Sequence, residues 1–404
     1  MRILWVLSYL PWPLTSGGKT RQYHLLRTLA ERGHRITLLV QSKTALDDAS
    51  RSALEPLLDS LIVMPRRPLK HPVTLLAGLL APWPLLTTIN GLAPALTQRF
   101  NALLEQPWDV VQIEHSYTLQ PYLATLRQRR QPFVLTEHNL ESSLGGATYD
   151  RFPRWAAAFV RYDQRRCQRW ERNAFDAAHK VIAVTEADAQ AIRRLTKTPV
   201  EVVVNGVDSQ AFEGVQAAPQ SARVLFVGNY EYAPNLDAVQ WLLDEIFPQV
   251  WAQRPDARLA VAGYALPDAW KSRWPDPRID WLGFVPDLPA LQGTCAAFIA
   301  PLRHGGGSKL KVLEAMAAGL PLVSTAQGSS GLALRPEQHY LAGEDTRTLA
   351  DAVVRVLAEP DLAAGLGRAA RDYAQRHHDW AVAANELQHA YPPRLSSPER
   401  PPCV

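Results

Sequence analysis

Residues Ala300–Ser324 read APLRHGGGSKLKVLEAMAAGLPLVS, and they place a glycine loop between a strand pattern and a helix pattern. The strand ends near Ala300 and Pro301. The loop carries Gly305, Gly306 and Gly307, and the helix is expected from about Ser308 or Lys309, with a second strand over Leu320–Ser324. A strand–glycine–helix order aims unpaired backbone N–H groups and the positive end of a helix at the loop. Glycines let backbone approach a ligand closely, Ser308 is a fair N-cap, and Lys309 adds a full positive charge. That combination suits a phosphate or diphosphate. Glu314, five residues beyond Lys309, could accept two hydroxyl hydrogens of a ribose. A nucleotide would then lie with its phosphates on the loop and its sugar on Glu314. The plain alternative is a flexible connection and a solvated glutamate. Neither GxxxxGK[ST] nor GxGxxG matches.

Outward from that stretch, the pattern repeats along the chain. Its 404 residues suit two domains of about 200 residues each. A content of 47% apolar and 20% charged residues describes a globular protein. Apolar runs alternate with helical patterns: strands at Ile3–Leu7, Arg35–Val40, Val110–Glu114, Phe133–Thr136, Val181–Thr185 and Val200–Val204, with a helix at Arg21–Arg32. The series restarts at Arg223–Val227 and continues through a helix at Leu236–Val250 and strands at Arg258–Ala262, Ile279–Leu282 and Ala297–Ala300. Continuous apolar strands separated by helices predict an α/β protein of two Rossmann-like, doubly wound parallel domains. The reading divides the chain into a first domain over 1–207, a small polar linker over 208–222, a second domain over 223–378, a helix over 379–391 and a proline-rich, disordered tail over 392–404.

Three cysteines, Cys167, Cys295 and Cys403, stand far apart, which argues against a disulfide framework or a thiolate metal site. The cytosol is the default compartment. The opening MRILWVLSYLPWPL reads as a first strand, because no small-residue cleavage site follows it. Residues 1–200 hold 26 Lys and Arg against 16 Asp and Glu, a net +10, and the remainder is net −6. A basic first half suits an anionic partner such as a membrane face, a phosphorylated lipid or a nucleic acid. No helix-turn-helix, zinc or RNA-recognition signature supports the last.

Two stretches break the alternation. Pro72–Leu96 carries no Asp, Glu, Lys or Arg, and Pro82, Pro84 and Pro94 interrupt any spanning helix. The expectation is an insert that is buried or covers a surface, with membrane contact as the alternative. Arg151–Arg172 mixes arginines with Trp155, Phe159, Tyr162 and Trp170. That mixture fits a membrane interface or a solvated helix with an aromatic stripe packed on its own domain.

GGGSKLKVLEAMAAGLPLVST resembles the donor-site signature of retaining glycosyltransferases of the GT-B fold, in particular glycosyltransferase family 4. TSGGKTRQYHLLRTLAERGHRITLLV, VLTEHN, VVVNGVD, VLFVGNYEYAPNLDAVQWLL, LGFVPDLPALQGTCAAFIAPL and HHDWAVAANELQHAY are similar to further segments of that family, in the same order. The resemblance spans nearly the whole chain apart from the Pro72–Leu96 insert and the tail. It implies two domains facing across a cleft, with the last helix returning to the first domain. It also implies transfer of a sugar from a nucleotide-diphosphate-sugar donor to a glycan or lipid-linked acceptor, in envelope or exopolysaccharide biosynthesis. The enzyme would lie in the cytoplasm or peripherally at the inner face of the membrane. The nucleotide sugar is a co-substrate, and no other cofactor, metal or nucleic acid is implied.

Position by position, Glu314 matches the second glutamate of the family's E-x7-E motif, which binds the ribose. The first would fall at Gly306, so sugar contacts pass to loop N–H groups of Gly305, Gly306, Gly307 and Ser308. The Arg and Lys that often follow the second domain's first strand are missing from GNYEYAPN, where Asn229 stands. Lys309 is the candidate replacement on the diphosphate, and Lys311, further along the helix, ranks behind it. Gly17 and Gly18 match the loop that abuts the donor phosphate, His138 the histidine facing the donor sugar, and Phe284 and Val285 the backbone that meets the base. His138 and Lys309 are thus the candidate catalytic residues. A phosphorylase or epimerase of the same fold would want a cofactor lysine or paired acids that do not stand out. Gly306 in place of glutamate keeps open an inactive paralogue acting as a nucleotide-sugar sensor or partner subunit.

Overall fold

The computed structural model describes residues 1–67, 71–143, 156–305 and 309–392. The chain folds as two compact units, one of Met1–Pro13, Leu25–Val203 and the segment from Ala384 onward, the other of Leu14–His24 and Val204–Ala383.

The first unit holds seven strands: β1 (Arg2–Leu7), β2 (Arg35–Ser42), β3 (Ser60–Pro65), β4 (Val110–Glu114), β5 (Val134–Glu137), β6 (Lys180–Ala183) and β7 (Val200–Val202). They form one sheet in the order β3-β2-β1-β4-β5-β6-β7, parallel throughout. Ile3, Leu4, Trp5, Val6 and Leu7 are all 0% exposed, as a strand covered by helices on both faces requires. Each such side chain contributes about 1.5–3 kcal/mol of hydrophobic stabilisation. Strand β3 was not anticipated from the sequence. It lies at the sheet edge, with Leu61–Met64 half-buried and Ser60 and Pro65 exposed.

The second unit holds six: β8 (Arg223–Val227), β9 (Arg258–Ala262), β10 (Ile279–Gly283), β11 (Ala297–Ala300), β12 (Leu322–Ser324) and β13 (Leu341–Ala342). Their order is β10-β9-β8-β11-β12-β13, again parallel. The expected Leu236–Val250 helix is a broken one: Ala233–Trp241, a π turn at Leu242–Ile246, then Phe247–Gln253. The break keeps Leu242, Leu243, Ile246, Phe247 and Val250 all buried in the core.

The Gly17–Glu31 helix begins four residues before the expected Arg21 start, so Gly17 and Gly18 form its first turn instead of lying in the loop. The Trp380–Ala390 helix begins in the second unit and from Ala384 onward belongs to the first. There Gln388 accepts a hydrogen bond from Arg32, and the Tyr391 hydroxyl donates to Gln112 Oε1 at 2.5 Å. No helix among the described residues is long and apolar enough to cross a membrane.

Candidate functional site

In the second unit, three neighbouring strands end at glycine: Gly228 follows β8, Gly263 follows β9, and Gly283 closes β10. Gly228 N–H donates to the Ala262 carbonyl at 3.0 Å, and Gly263 N–H to the Gly283 carbonyl at 2.7 Å. Gly263 has φ +132°, and a Cβ there would lie 1.8 Å from the Gly228 oxygen. The carboxyl edge of the sheet, where α/β folds bind ligands, is therefore bare backbone at this point. Phe284 follows at 59% exposure, while Val285 leans back onto the core.

The Leu310–Ala317 helix lies in the same unit. Val312, Leu313, Ala315, Met316 and Ala317 turn into the core, which leaves Lys311 and Glu314, one turn apart, on a half-buried face. The helix starts at Leu310, with Lys309 as its N-cap residue and no side-chain cap. Lys309 is buried, and its Nζ donates to the Gly305 carbonyl at 3.2 Å. Gln327 Nε2 donates to that same oxygen. Gly305 itself has φ +122°, a conformation that favours glycine. Gly306, Gly307 and Ser308 lie outside the described residues.

Lys311 Nζ donates to Asn235 Oδ1 at 2.5 Å and sits 4.5 Å from the centre of the Phe226 ring. Burial, with the Lys309 charge adding to it, lowers its pKa to about 7. Glu314 is pushed up to about 7 by desolvation, with the Lys311 charge opposing the rise. Asn235 Nδ2 in turn donates to the Asn229 carbonyl at 2.8 Å, and Asn229 Nδ2 donates to the Thr15 carbonyl at 3.1 Å. A Cβ on Gly17 would come within 3.2 Å of the Leu310 side chain, so a side chain there would crowd the start of the helix. The structure thus brings together Gly17, Asn229, Gly305, Lys309 and Glu314. It adds Lys311, Asn235 and Gln327. Lys311 had ranked behind Lys309 by distance along the helix, yet the three-residue spacing to Glu314 was the signal that puts both on one face.

His138 belongs to the first unit and stands just beyond the end of β5. Its Nε2 is 3.0 Å from Glu114 Oε2. Glu114 is 1% exposed and also accepts from Gln112 Nε2 at 2.5 Å, while Gln112 accepts from Tyr391. A buried polar line therefore runs from the C-terminal helix through β4 to the histidine. The carboxylate favours a proton on Nε2 and fixes the ring plane. Gln112 and Glu114 alternate within the buried strand VVQIE, a polar pair on one strand face that marks them in the sequence. Tyr391 carried no such signal. The His115 ring lies 4.3 Å from the His138 ring, and its backbone sits at φ +66°, a conformation that costs a non-glycine residue about 1–3 kcal/mol. Glu137, which flanks His138, accepts from Ser116 N–H at 2.6 Å. Desolvation first and the Glu171 charge second push its pKa well above the usual carboxylate range.

Two sequence-family models match this chain: "Glycosyltransferase Family 4" over residues 15–211 and "Glycosyl transferases group 1" over residues 221–359. Glycogen synthase of Mycobacterium tuberculosis is 25% identical over 407 aligned positions, covering 97% of this chain and 94% of that protein. A phosphatidyl-myo-inositol mannosyltransferase of the same organism is 30% identical over 205 positions, 47% of this chain and 53% of its own length. Among solved structures, HepE of Anabaena in complex with UDP and glucose superposes with a TM-score of 0.67 at 18% identity, covering 96% of this chain and 98% of that one. That likeness shows the GT-B fold.

Proposed function

The chain belongs to glycosyltransferase family 4, and from that premise we propose that it moves a sugar from a nucleotide-diphosphate-sugar donor to a lipid-linked or glycan acceptor, with retention of configuration. The observation that carries the donor half is the Leu310–Ala317 helix, which presents Lys309 at its start and Lys311 and Glu314 on one face. A diphosphate at the helix N-terminus would meet backbone N–H groups and two lysines, and the ribose hydroxyls would donate to Glu314. Phe284 and Val285 would border the base.

In the reaction the bond from the sugar's anomeric carbon to the diphosphate breaks, and negative charge grows on the leaving phosphate. Lys309, Lys311 and the helix N-terminus stabilise that charge, and cations of the protein supply the neutralisation a metal would otherwise give. The acceptor hydroxyl attacks from the face the phosphate leaves, and its proton passes to a phosphate oxygen. His138, its ring plane fixed through Glu114, orients the donor sugar. The basic first half of the sequence supports an acceptor reached peripherally at the inner membrane face, and the name of the phosphatidyl-myo-inositol mannosyltransferase relative supports a lipid acceptor. HepE, whose complexes hold UDP, glucose and UDP-glucose, supports a nucleotide sugar as donor.

The test is a thermal-shift panel of UDP, GDP, ADP and their hexose conjugates, followed by transfer assays with the donor that binds. A ligand of the folded state raises Tm. A shift with one nucleotide, lost in Glu314→Ala, supports the reading, and NMR of the product's anomeric proton decides retention. No shift at millimolar ligand overturns it in favour of an inactive paralogue.

A further inference from the structure

The Pro72–Leu80 helix covers its own unit on one side, where Thr74 and Gly78 are buried, and bares an apolar face on the other. Val73, Leu76, Leu79 and Leu80 are 50%, 60%, 59% and 75% exposed. Their spacing of three or four residues sets them along one side of the helix. This is not a frayed end. Arg166, whose side chain is 3% exposed, donates to the carbonyls of Gly78 and Ala81, both at 2.7 Å. Its partner Asp163, equally buried, accepts from Leu85 N–H at 3.0 and 3.2 Å, at the start of the following Leu85–Gly91 helix. A buried ion pair, satisfied on both sides by backbone, therefore fixes an apolar face in a position open to water.

The helix that supplies this pair, Ala157–Ala177, has a second face. Of its three acids, Asp163 and Glu171 are buried and Asp176, near the helix end, is exposed and accepts from the Thr196 hydroxyl, while Arg161, Arg165, Arg169 and Arg172 are exposed. Among the described residues the helix's arginine ion pair is that of buried Arg166 with Asp163, and none is formed by these four. Tyr162, 49% exposed, lies beneath the Arg166 guanidinium at 4.7 Å, where the two helices meet. The result is a ridge of valine and leucine beside a tyrosine and a row of arginines.

We infer that this ridge is a docking surface for an anionic lipid bilayer, with the leucines entering the acyl boundary and the arginines resting on the headgroups. Apolar side chains adjoining arginines and a tyrosine have the chemistry of that interface. A second copy fits poorly, because a two-fold contact would set arginine row against arginine row with no exposed acid on the Pro72–Leu80 helix to answer it. The inference rests on the lipid-linked-acceptor reading only for the place it gives the enzyme, and transfer assays with detergent-dispersed lipid-linked acceptors, which need no bilayer, test that reading separately.

The experiment is co-sedimentation of the full-length protein with vesicles of phosphatidylcholine alone, and of equal parts phosphatidylcholine and phosphatidylglycerol. The protein binds the anionic vesicles and not the neutral ones, and salt weakens the binding. Leu79→Asp/Leu80→Asp lowers the partition by about tenfold or more, since the lost apolar burial is of that order. Each of Arg161→Gln and Arg165→Gln lowers it by about fivefold and flattens the salt dependence. All these positions are exposed, so Tm and the nucleotide-induced shift stay as in the parent. No binding to anionic vesicles, or equal binding by the double leucine variant, overturns the inference. So does a dimer in light scattering that Leu79→Asp/Leu80→Asp abolishes, which would make the ridge a contact between copies.

Discussion

Glu314→Gln tests the donor site through its pH dependence. Glu314 and Lys311 both titrate near pH 7, with opposite consequences for a bound nucleotide sugar. The ribose needs the carboxylate, which is about 90% ionised at pH 8 and about 10% at pH 6. The diphosphate needs the ammonium, whose charged fraction runs the other way. The two limbs oppose each other, so affinity peaks near pH 7 and falls toward pH 6 and toward pH 8. Glu314→Gln removes one limb. Affinity at pH 7 drops about 10- to 150-fold, for a charge-assisted hydrogen bond of about 1.5–3 kcal/mol. What remains then rises from pH 8 to pH 6 as Lys311 charges, with the midpoint moved below that of the parent because the Glu314 charge no longer supports the ammonium. Lys311→Met gives the mirror slope. The assay is isothermal titration with a UDP- or GDP-linked hexose, whose diphosphate has no group that titrates in this window. Lys309 is common to all variants, so it does not alter the comparison. An affinity and a bell unchanged in Glu314→Gln would refute the ribose assignment.

Two further outcomes concern turnover and the sheet edge. Glu114→Gln preserves the shape of the buried line but removes the charge opposite His138 Nε2. Steady-state kinetics should show kcat down about tenfold with donor KM little changed, and the same drop in donor affinity would argue for a merely structural role. Gly263→Ala places a Cβ 1.8 Å from the Gly228 oxygen at φ +132°. The forced shift of β8 relative to β9 should cost about 3 kcal/mol or more, lowering Tm by about 6 °C or more and weakening nucleotide binding through Asn229. An unchanged Tm would refute the close approach.

The alternation of apolar strands and helical patterns carried the architecture, because strands buried on both faces must be continuously apolar. Edge strand β3 carries such a run, SLIVMP, and escaped because a short apolar run fits a strand or a buried helix segment equally well. The places of Lys309 at the helix start and Glu314 on its face were legible because local order alone sets which groups a strand–loop–helix unit aims at its turn. What the local pattern left open, packing decided. Asn235 meets Lys311 across 76 positions of sequence, and Tyr391 reaches Gln112 across 279. The apolar insert shows the same division. Its composition marked it as unusual, but composition is equally compatible with a covered helix and an exposed one. Only the placement of the Arg166–Asp163 pair, buried against the carbonyls of Gly78 and Ala81 and the N–H of Leu85, turned its leucines outward, because a buried ion pair holds only where every remaining polar group around it is met.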